Sequence, residues 1–528
     1  GPGEEPNEFK FIAPKSESIK TGEFVTYKSE LDGRQEEIIA RVTNRIQERG
    51  LPNSFMSDPG VSPEQVADTL GVPTDDIDLY LMTATVVGYF DEGMDSFVNP
   101  RSLPEPGTRV TLASDSFLER VLPDADWSSE TGKAYAGWLL NRDQRAANLF
   151  LPIDGFAATH IAILASTGSG KSYTASVLIE EMMRPQSRAA MLVFDPHGEY
   201  TTLTDMMDDE YADVFRSDDG YSPDVEILTQ DDIDVRISDL TFGDLLSVLD
   251  NPSNKMEATL RQAWDSLQDQ DSEHITVEDI VNRCAAIEGD DSSTVNALRW
   301  RLYDSLSRDL FDPSSYLQLS DILRPGKVTV LDLSRIPKDD QQMLAAVLLR
   351  KIYQERERAQ QGEDVDIDYP VFSLMEEGHR FARDGDARSL GIMRTILSEG
   401  RKFGFGIGII SQRPSKIDDD VLSQCGTQII MQIKNPNDQQ AIRQSVESAG
   451  ESVLSELPGL TPGQAVVSGD SMNTPVLVKI RERYTEHGAS SPDATLDWKD
   501  AWREKEDESN GVRSPDSDSE DDLETDPL

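Results

Sequence analysis

An unbroken apolar run, Ile161-Ala-Ile-Leu164, stops at Ala165-Ser-Thr-Gly-Ser-Gly-Lys-Ser172 and gives way to a helical pattern through Tyr173-Thr-Ala-Ser-Val-Leu-Ile-Glu-Glu-Met182. The run predicts a buried strand, a glycine-rich turn and a helix. Further on, apolar strands at Ala189–Phe194, Lys327–Ser334, Phe405–Ile410 and Thr427–Ile433 alternate with helical patterns, such as Gln341–Glu357. Strands alternating with helices predict a parallel, doubly wound sheet. Between the second and third strands, about Leu240–Leu319, polar segments with apolar residues at helical spacing predict a small bundle, in which Trp264 and Trp300 are expected to pack.

The first part of the chain reads differently. From about Phe9 to Leu122, short runs such as Gly22–Tyr27, Glu37–Thr43, Ala84–Phe90 and Gly107–Leu112 are punctuated by Pro and Gly, which predicts a small β-barrel. Within it, Ser62–Val72 has an N-cap, Pro63 at the first helical position and a Gly71 stop. Pro73–Leu81 follows and offers mainly Asp and Leu, not the Arg, Lys, Asn or Gln that reads a major groove. A helical insertion in the barrel is therefore favoured over a DNA-reading helix pair. Beyond Tyr484 come a Gly/Ser/Pro linker, a short amphipathic helix Ala494–Trp502 with Trp498 and Trp502 on one face, and an acidic end, Ser514–Leu528, expected to be disordered.

The expected organisation has residues 1–8 disordered, with Gly1-Pro2 a tag scar, a barrel with helical insertion over 9–125 and a connector over 126–157. An α/β nucleotide domain then spans 158–484, interrupted by helices at about 206–325, and the linker, short helix and acidic tail fill 485–528.

Composition changes this picture in two respects. A chain of 528 residues exceeds one comfortable core, consistent with several domains, and 37% apolar residues can supply them. The formal net charge of −48, from 98 acidic against 50 basic residues, suggests the solvated surface of a salt-adapted protein. It does not exclude nucleic acid, because in molar salt the Debye length falls to about 3 Å and a small basic channel can work inside an acidic shell. Two cysteines, Cys284 and Cys425, are too few for a disulfide framework and read as core thiols. No apolar run approaches the roughly 20 residues of a membrane span, and the start Gly1-Pro-Gly-Glu-Glu5 has no signal-peptide character, so a cytoplasmic protein is expected.

The chemistry centres on the glycine-rich turn. Gly168 and Gly170 let backbone N–H groups close around a β-phosphate, Lys171 bridges β and γ oxygens, and Ser172 can ligate Mg²⁺. Thr167, Ser169 and Tyr173 complete the expected nucleotide-binding set. Ala165 stands where the phosphate-loop pattern begins with glycine, which matters only if that position needs positive φ. Hydrolysis needs acidic groups at neighbouring strand tips, one for the metal and one to orient water. Asp195 in Asp195-Pro-His-Gly-Glu-Tyr200, and Glu376 and Glu377 in Glu376-Glu-Gly-His379, stand at such tips. Adjacent strand-end residues point opposite ways, so only one of Glu376 and Glu377 is expected to face the metal and water. His197 and His379 suit hydrogen-bonding roles better than metal ligation. Arg401, at a helix end, is a candidate to reach a neighbouring subunit's nucleotide, the alternative being a charge that complements the helix dipole. Gln412, just past a strand, stands where a γ-phosphate sensor would.

Together these blocks, Ser166–Ser172, Asp195–Tyr200, Glu376–His379, Glu399–Gly404 and Ser411–Pro414, resemble in order the HerA family of hexameric DNA translocases of the HerA/FtsK superfamily. The resemblance covers about residues 9–484, including Asn99-Pro-Arg101, and departs at Ala165 and at Gly378, where alanine is common. It implies a RecA-like core and an ATP- and Mg²⁺-dependent translocase or helicase on double-stranded DNA. It also implies a hexameric ring, an archaeal source and a NurA-type nuclease partner in end resection and recombination repair. Lys171 and Ser172 would hold phosphate and metal, Asp195 and Glu376 or Glu377 would serve metal and water, and Arg401 would act in trans with Gln412 as sensor. Arg380, Arg383 and Arg388 follow the second acidic motif and are candidate DNA-phosphate contacts, an exposed, solvated loop being the plainer reading. Two other uses stay open: a motor for another cargo, or an ATP-binding scaffold ring that regulates a nuclease or defence effector.

Overall fold

The computed structural model describes residues 1–14, 19–31, 33–49, 78–91, 93–94, 96–124, 132–249, 252–269, 274–306, 310–311, 316–383, 385, 387–445 and 454–486, with 488, 495, 498–499 and 501–503. The chain divides into two units, Gly1–Glu486 and His487–Leu528. In the second, Trp498 and Trp502 are 73% and 61% exposed. The acidic end and the Ser62–Val72 segment lie outside the described residues.

The first unit begins with a six-stranded antiparallel sheet of β1 (Glu8–Pro14), β2 (Phe24–Leu31), β3 (Arg34–Arg49), β4 (Asp78–Asp91), β5 (Ser96–Val98) and β6 (Val110–Leu112). Its order is β1-β4-β3-β2-β6, with β5 on β4. Among the described residues β1 and β6 remain edges, so the expected barrel is a half-barrel. One face carries Phe9, Val25, Ile38, Ala40, Met82 and Ala84, while Phe24 and Ile39, on the opposite face, are also buried and join the core of the large sheet. Asp78–Leu81, the end of the segment weighed as a second DNA-reading helix, is strand. Residues 1–8, expected to be disordered, fold back on β1, with Gly3 N–H donating to Glu8 O at 2.7 Å.

The large sheet adds β7 (Lys133–Leu139), β8 (Asn148–Pro152), β9 (Ile161–Leu164), β10 (Ala190–Asp195), β11 (Asp224–Leu228) and β12 (Lys327–Asp332). It is completed by β13 (Val371–Met375), β14 (Phe405–Ser411), β15 (Thr427–Ile430), β16 (Gln464–Gly469) and β17 (Val476–Ile480). The eleven strands run β11-β12-β10-β13-β14-β9-β15-β16-β17-β7-β8. Pairing is parallel from β11 to β15 and antiparallel from there to β8. Of the stretch 126–157, read as a connector, the described residues 132–157 thus supply two strands of this sheet.

Both faces of the parallel strands are covered, which is why they read as continuous apolar runs rather than alternating ones. Ala162, Leu164, Leu192 and Phe194 enter one core. Their neighbours Ile161, Ile163, Met191 and Val193 enter the other, beneath helix α1 (Lys171–Met182).

The first core extends without a break into α2 (Phe242–Ser247), α3 (Asn254–Gln268), α4 (Val277–Glu288) and α5 (Ser293–Leu306). Ser253 caps α3, while Thr241 and Thr276 form capping boxes with Asp244 and Asp279; such caps each stabilise a helix by about 1 kcal/mol. Arg350, on α6 (Lys338–Gln360), grips Asp244 at 2.9 Å and fixes α2 to the body of the large sheet. The insertion therefore shares the core of the nucleotide fold. Trp264 packs into it at 3% exposed, but Trp300, expected to pack as well, is 69% exposed because α5 turns that face to solvent.

Two buried arginines tie distant segments together. Arg142, in the β7–β8 hairpin, reaches Glu23 at 2.9 Å, Asp115 at 3.0 Å and the Ala113 carbonyl at 2.9 Å, clamping the half-barrel. Arg481, just past β17, pairs with Glu180 at 2.9 Å and Glu181 at 2.8 Å on α1, all three being almost wholly buried. Removing one partner of a buried pair leaves an uncompensated charge worth about 3–5 kcal/mol. Arg481→Ala should therefore lower the unfolding free energy of the full chain in urea by that much, whereas Arg358→Ala, on the surface beside Glu355 and Glu363, should leave it unchanged. Equal effects in the two variants would show that the Arg481 pairs contribute nothing beyond a surface contact.

Candidate active site

The turn after β9 has the conformation its glycines suggest. Gly168 and Gly170 have φ of 79° and 102°, left-handed values that suit glycine, and Gly170 caps α1. Among the described residues the Gly168 and Gly170 amides donate to nothing, and the first amides of α1 have no intrahelical acceptor. Space for a Cβ at Gly168 is open, leaving a cradle of N–H groups at the positive end of a helix, which fits a phosphate. Ala165 is fully buried and is not among the residues with positive φ, so alanine is unstrained there.

Lys171 extends from this turn into a nest of carboxylates. Its Nζ pairs with Glu376 Oε1, with Glu377 Oε1 at 3.4 Å and with Glu199 Oε2 at 3.9 Å. Burial alone would lower its pKa, but Glu376 and Glu377 outweigh that and hold it above the ordinary value. Glu376 is fully buried. Burial pushes its carboxyl up to about 7 against the pull of Lys171 and of the Tyr200 hydroxyl, which donates to Glu376 Oε2 at 2.5 Å.

Glu377 lies in the left-handed region at φ 52° and ψ 46°. Strand alternation ends at Met375, and this turn brings both glutamates to the same lysine, where opposite directions were expected. Burial raises the Glu377 pKa, but the nearness of His379 and Lys171 prevails and brings it below the ordinary value. His379 Nδ1 lies 3.2 Å from Glu377 Oε2 but is not aligned for a hydrogen bond, so that buried oxygen has no donor among the described residues. Gly378 is explained by the neighbouring strand: a Cβ there would collide with Ile409 Cγ2.

Asp195 is placed differently from expectation. Its oxygens accept the His197, Gly198 and Tyr200 amides at 3.1, 2.9 and 3.1 Å, and burial raises its pKa to about 6 against those amides. It folds the turn after β10 so that Glu199 accepts from the Ser172 hydroxyl. Glu199 and Tyr200 were not among the predicted site residues. Their signal was present in the spacing, four and five residues past a strand-end Asp whose turn points them back to the loop.

Gln412, past the end of β14, accepts from Thr167 Oγ1 and so stands at the phosphate turn. Ser169 is turned inward to backbone carbonyls, and the Tyr173 hydroxyl accepts from Arg483 N–H at 2.8 Å. The arginine set is dispersed. Arg380 Nη2 meets His197 Nε2 at 3.1 Å beside the site, Arg388 Nη2 donates to the Ser247 carbonyl at 3.0 Å, and Arg383 is exposed.

Arg401 is exposed in the last turn of α7 (Leu390–Phe403). The whole of β14 separates it from Gln412, roughly 20 Å of strand. It does not reach the phosphate turn of its own chain.

A doubly wound parallel sheet, a phosphate turn at the end of a central strand and carboxylates on the next tips define a P-loop ATPase of the RecA-like class. Residues 134–352 match the family model of the helicase HerA central domain, and residues 292–482 that of the helicase HerA-like C-terminal domain. The chain belongs to the HerA helicase family and is an ATP-hydrolysing enzyme. Among its relatives, a probable helicase of Methanocaldococcus jannaschii, MJECL08, is 27% identical over 90% of this chain and 94% of its own. The DNA double-strand break repair helicases HerA of Sulfolobus acidocaldarius and Pyrococcus furiosus are 27% and 24% identical, covering 78% and 89% of this chain and 80% and 89% of theirs. In fold, VirB4 of Thermoanaerobacter pseudethanolicus superposes with a TM-score of 0.50 at 14% identity, over 66% of this chain and 97% of that one.

The lysine nest makes a prediction about stability without nucleotide. Lys171→Ala leaves three carboxylates facing one another and should lower the urea midpoint. The raised Glu376 pKa gives a stability contribution that is complete below the unfolded value of 4.5 and is lost as pH rises through about 7. Without Lys171 that pKa rises further, so the loss in the variant should be larger at pH 8 than at pH 5, and Glu376→Gln in the same background should remove the difference. A loss independent of pH would show that Glu376 stays ionised in both proteins.

Proposed function

We propose that this chain is an ATP-driven translocase and helicase on double-stranded DNA, working as a ring in double-strand break repair. The observation that carries the ring is Arg401: exposed, cationic and a strand's length from its own phosphate turn, it fits a site completed by the neighbouring copy. The DNA cargo rests on the relatives named as double-strand break repair helicases. A partner nuclease of the NurA type, end resection and a cytoplasmic, salt-adapted setting extend the same reading. Among the described residues no helix is long and apolar enough to cross a membrane, and the net charge of −48 suits high salt.

In this reading the Gly168–Ser172 turn and α1 hold the ATP phosphates, and Lys171 leaves its carboxylates to meet them. The donor set fits Mg²⁺: the Ser172 hydroxyl with Glu199 beside it, and the buried, unpartnered Glu377 Oε2. Bound there, the ion would neutralise phosphate charge and orient oxygens. Glu377, held ionised, is suited to orient and polarise the attacking water. Glu376, with its raised pKa and its Tyr200 bond, holds the lysine. Asp195 acts through the turn it folds. Gln412 senses the γ-phosphate from β14, and Arg383 is the exposed member of the arginine set left for DNA phosphate.

The test is ATP turnover in molar KCl with and without linear duplex DNA. DNA should stimulate the wild type strongly. Glu377→Gln should reduce turnover by at least about 10²-fold, Glu376→Gln should act mainly through nucleotide affinity, and Arg383→Ala should lower only the DNA-stimulated part. Turnover without DNA stimulation at any salt would leave an ATPase with another cargo, and bound ATP with no turnover a scaffold. Mixing Lys171→Ala with Arg401→Ala chains should restore activity at roughly one interface in four, since each supplies what the other lacks. Failure to complement would place Arg401 outside the reaction.

A further inference from the structure

Away from the phosphate turn, a cavity of about 610 Å³ opens beside the edge strand β8, lined by the β7–β8 hairpin, the end of α1 and the segment after β17. Its volume falls within the roughly 300–1,000 Å³ of small-molecule sites. Arg184 and Tyr135, whose N–H donates to Glu181 at 3.1 Å, stand ten to thirteen residues along the helical path from Lys171, roughly 15–20 Å away, while Arg483, on another wall, adjoins the phosphate turn through Tyr173.

The walls are aromatic and the cations are arginines. Tyr135 and Phe150 lie with ring centroids 5.2 Å apart, and Trp138 beside them is only half-buried. The Tyr135 hydroxyl donates to Asn148 Oδ1 at 2.9 Å, which turns the Asn148 amide nitrogen into a donor with no acceptor among the described residues. Below, Arg481 is neutralised by Glu180 and Glu181, and Glu482 is the acidic group of the lining. Arg145 differs. It is exposed, it makes no hydrogen bond or ion pair with any described residue, and it sits at φ 63°, where a non-glycine residue is strained. In a chain of net charge −48, an unpaired guanidinium lining the same cavity as Tyr135, Trp138 and Phe150 is out of place as mere surface.

We propose that this cavity is a second nucleotide-binding site, in which a base stacks on Trp138 and the Tyr135–Phe150 pair, its polar edge meets Asn148, and its phosphate pairs with Arg145. Rings and an arginine are the chemistry that takes bases without regard to sequence, and a guanidinium suits phosphate. The same chemistry serves a free mononucleotide or one unit of a single strand.

Two fluorescent probes distinguish the sources: etheno-AMP, which lacks the β-phosphate that the phosphate turn closes around, and an oligothymidylate. Titration of the full chain should give saturable binding of at least one. Arg145→Gly, which also relieves the left-handed φ, and Trp138→Ala should each weaken it by roughly tenfold, with basal ATP turnover unchanged for Arg145→Gly. Lys171→Ala should leave probe affinity unaltered. Binding of the oligonucleotide alone assigns the site to a strand, and binding of etheno-AMP assigns it to a free nucleotide. The proposal is overturned if neither probe binds, or if affinity ignores Arg145 and Trp138. It is equally overturned if Arg145→Gly alters only the oligomeric state seen by light scattering, which would make the cavity a contact between copies.

Discussion

The ion nest around Lys171 is the constraint on which the rest of the site depends. A lysine at the start of α1 faces carboxylates from the turns after β10 and β13, although its own strand β9 lies between β14 and β15. The strand tips must therefore be level and closely spaced. The parallel registers provide this, pairing Phe194 with Met375, Met375 with Ile409 and Ser411 with Leu164. Close packing at Gly378 against Ile409 lets the β13 turn fold down over β14. Charge and packing specify one another here, since three carboxylates this near would repel without the cation, and the cation would be stranded without them.

The same balance recurs through an acidic chain. Its net charge is −48, yet the cations that join elements, Arg142, Arg350 and Arg481, are each met by carboxylates at 2.8–3.0 Å. Salt screens the surface excess but reaches buried pairs much less. Such a chain can keep its internal joints in salt that erases long-range steering.

How much of this was legible in the sequence follows from what each signal measures. Apolar runs report burial on both faces, so the parallel strands and the phosphate turn could be read directly. The β7–β8 hairpin was read as connector: its own pairing is local, and what joins it to the large sheet is β17, more than three hundred residues further on. Trp300 was misplaced because α5 buries Val295, Leu298 and Leu302 instead, a choice of face that the nearby Arg299 and Arg301 leave ambiguous. At the site, residue type identified Glu376 and Glu377 but not their common direction, which hangs on one left-handed φ. Asp195 was recognised as special, yet its oxygens are spent on three amides and the hydroxyl of Ser172 goes to Glu199. A carboxylate's position in a motif is legible; its hydrogen-bond partners are settled by the turn.

Arg401 and Gln412 stand at the two ends of β14, a strand buried along its entire length. A buried, fully paired strand is among the stiffest elements a fold offers. If Gln412 reads one nucleotide's γ-phosphate and Arg401 reaches the next copy's site, β14 is a rod that reports one occupancy to the other. Neighbouring sites in the proposed ring would then be coupled within each chain as well as across each interface. The strand fixes the polarity of such a link, because Gln412 follows its carboxyl end and Arg401 precedes its amino end.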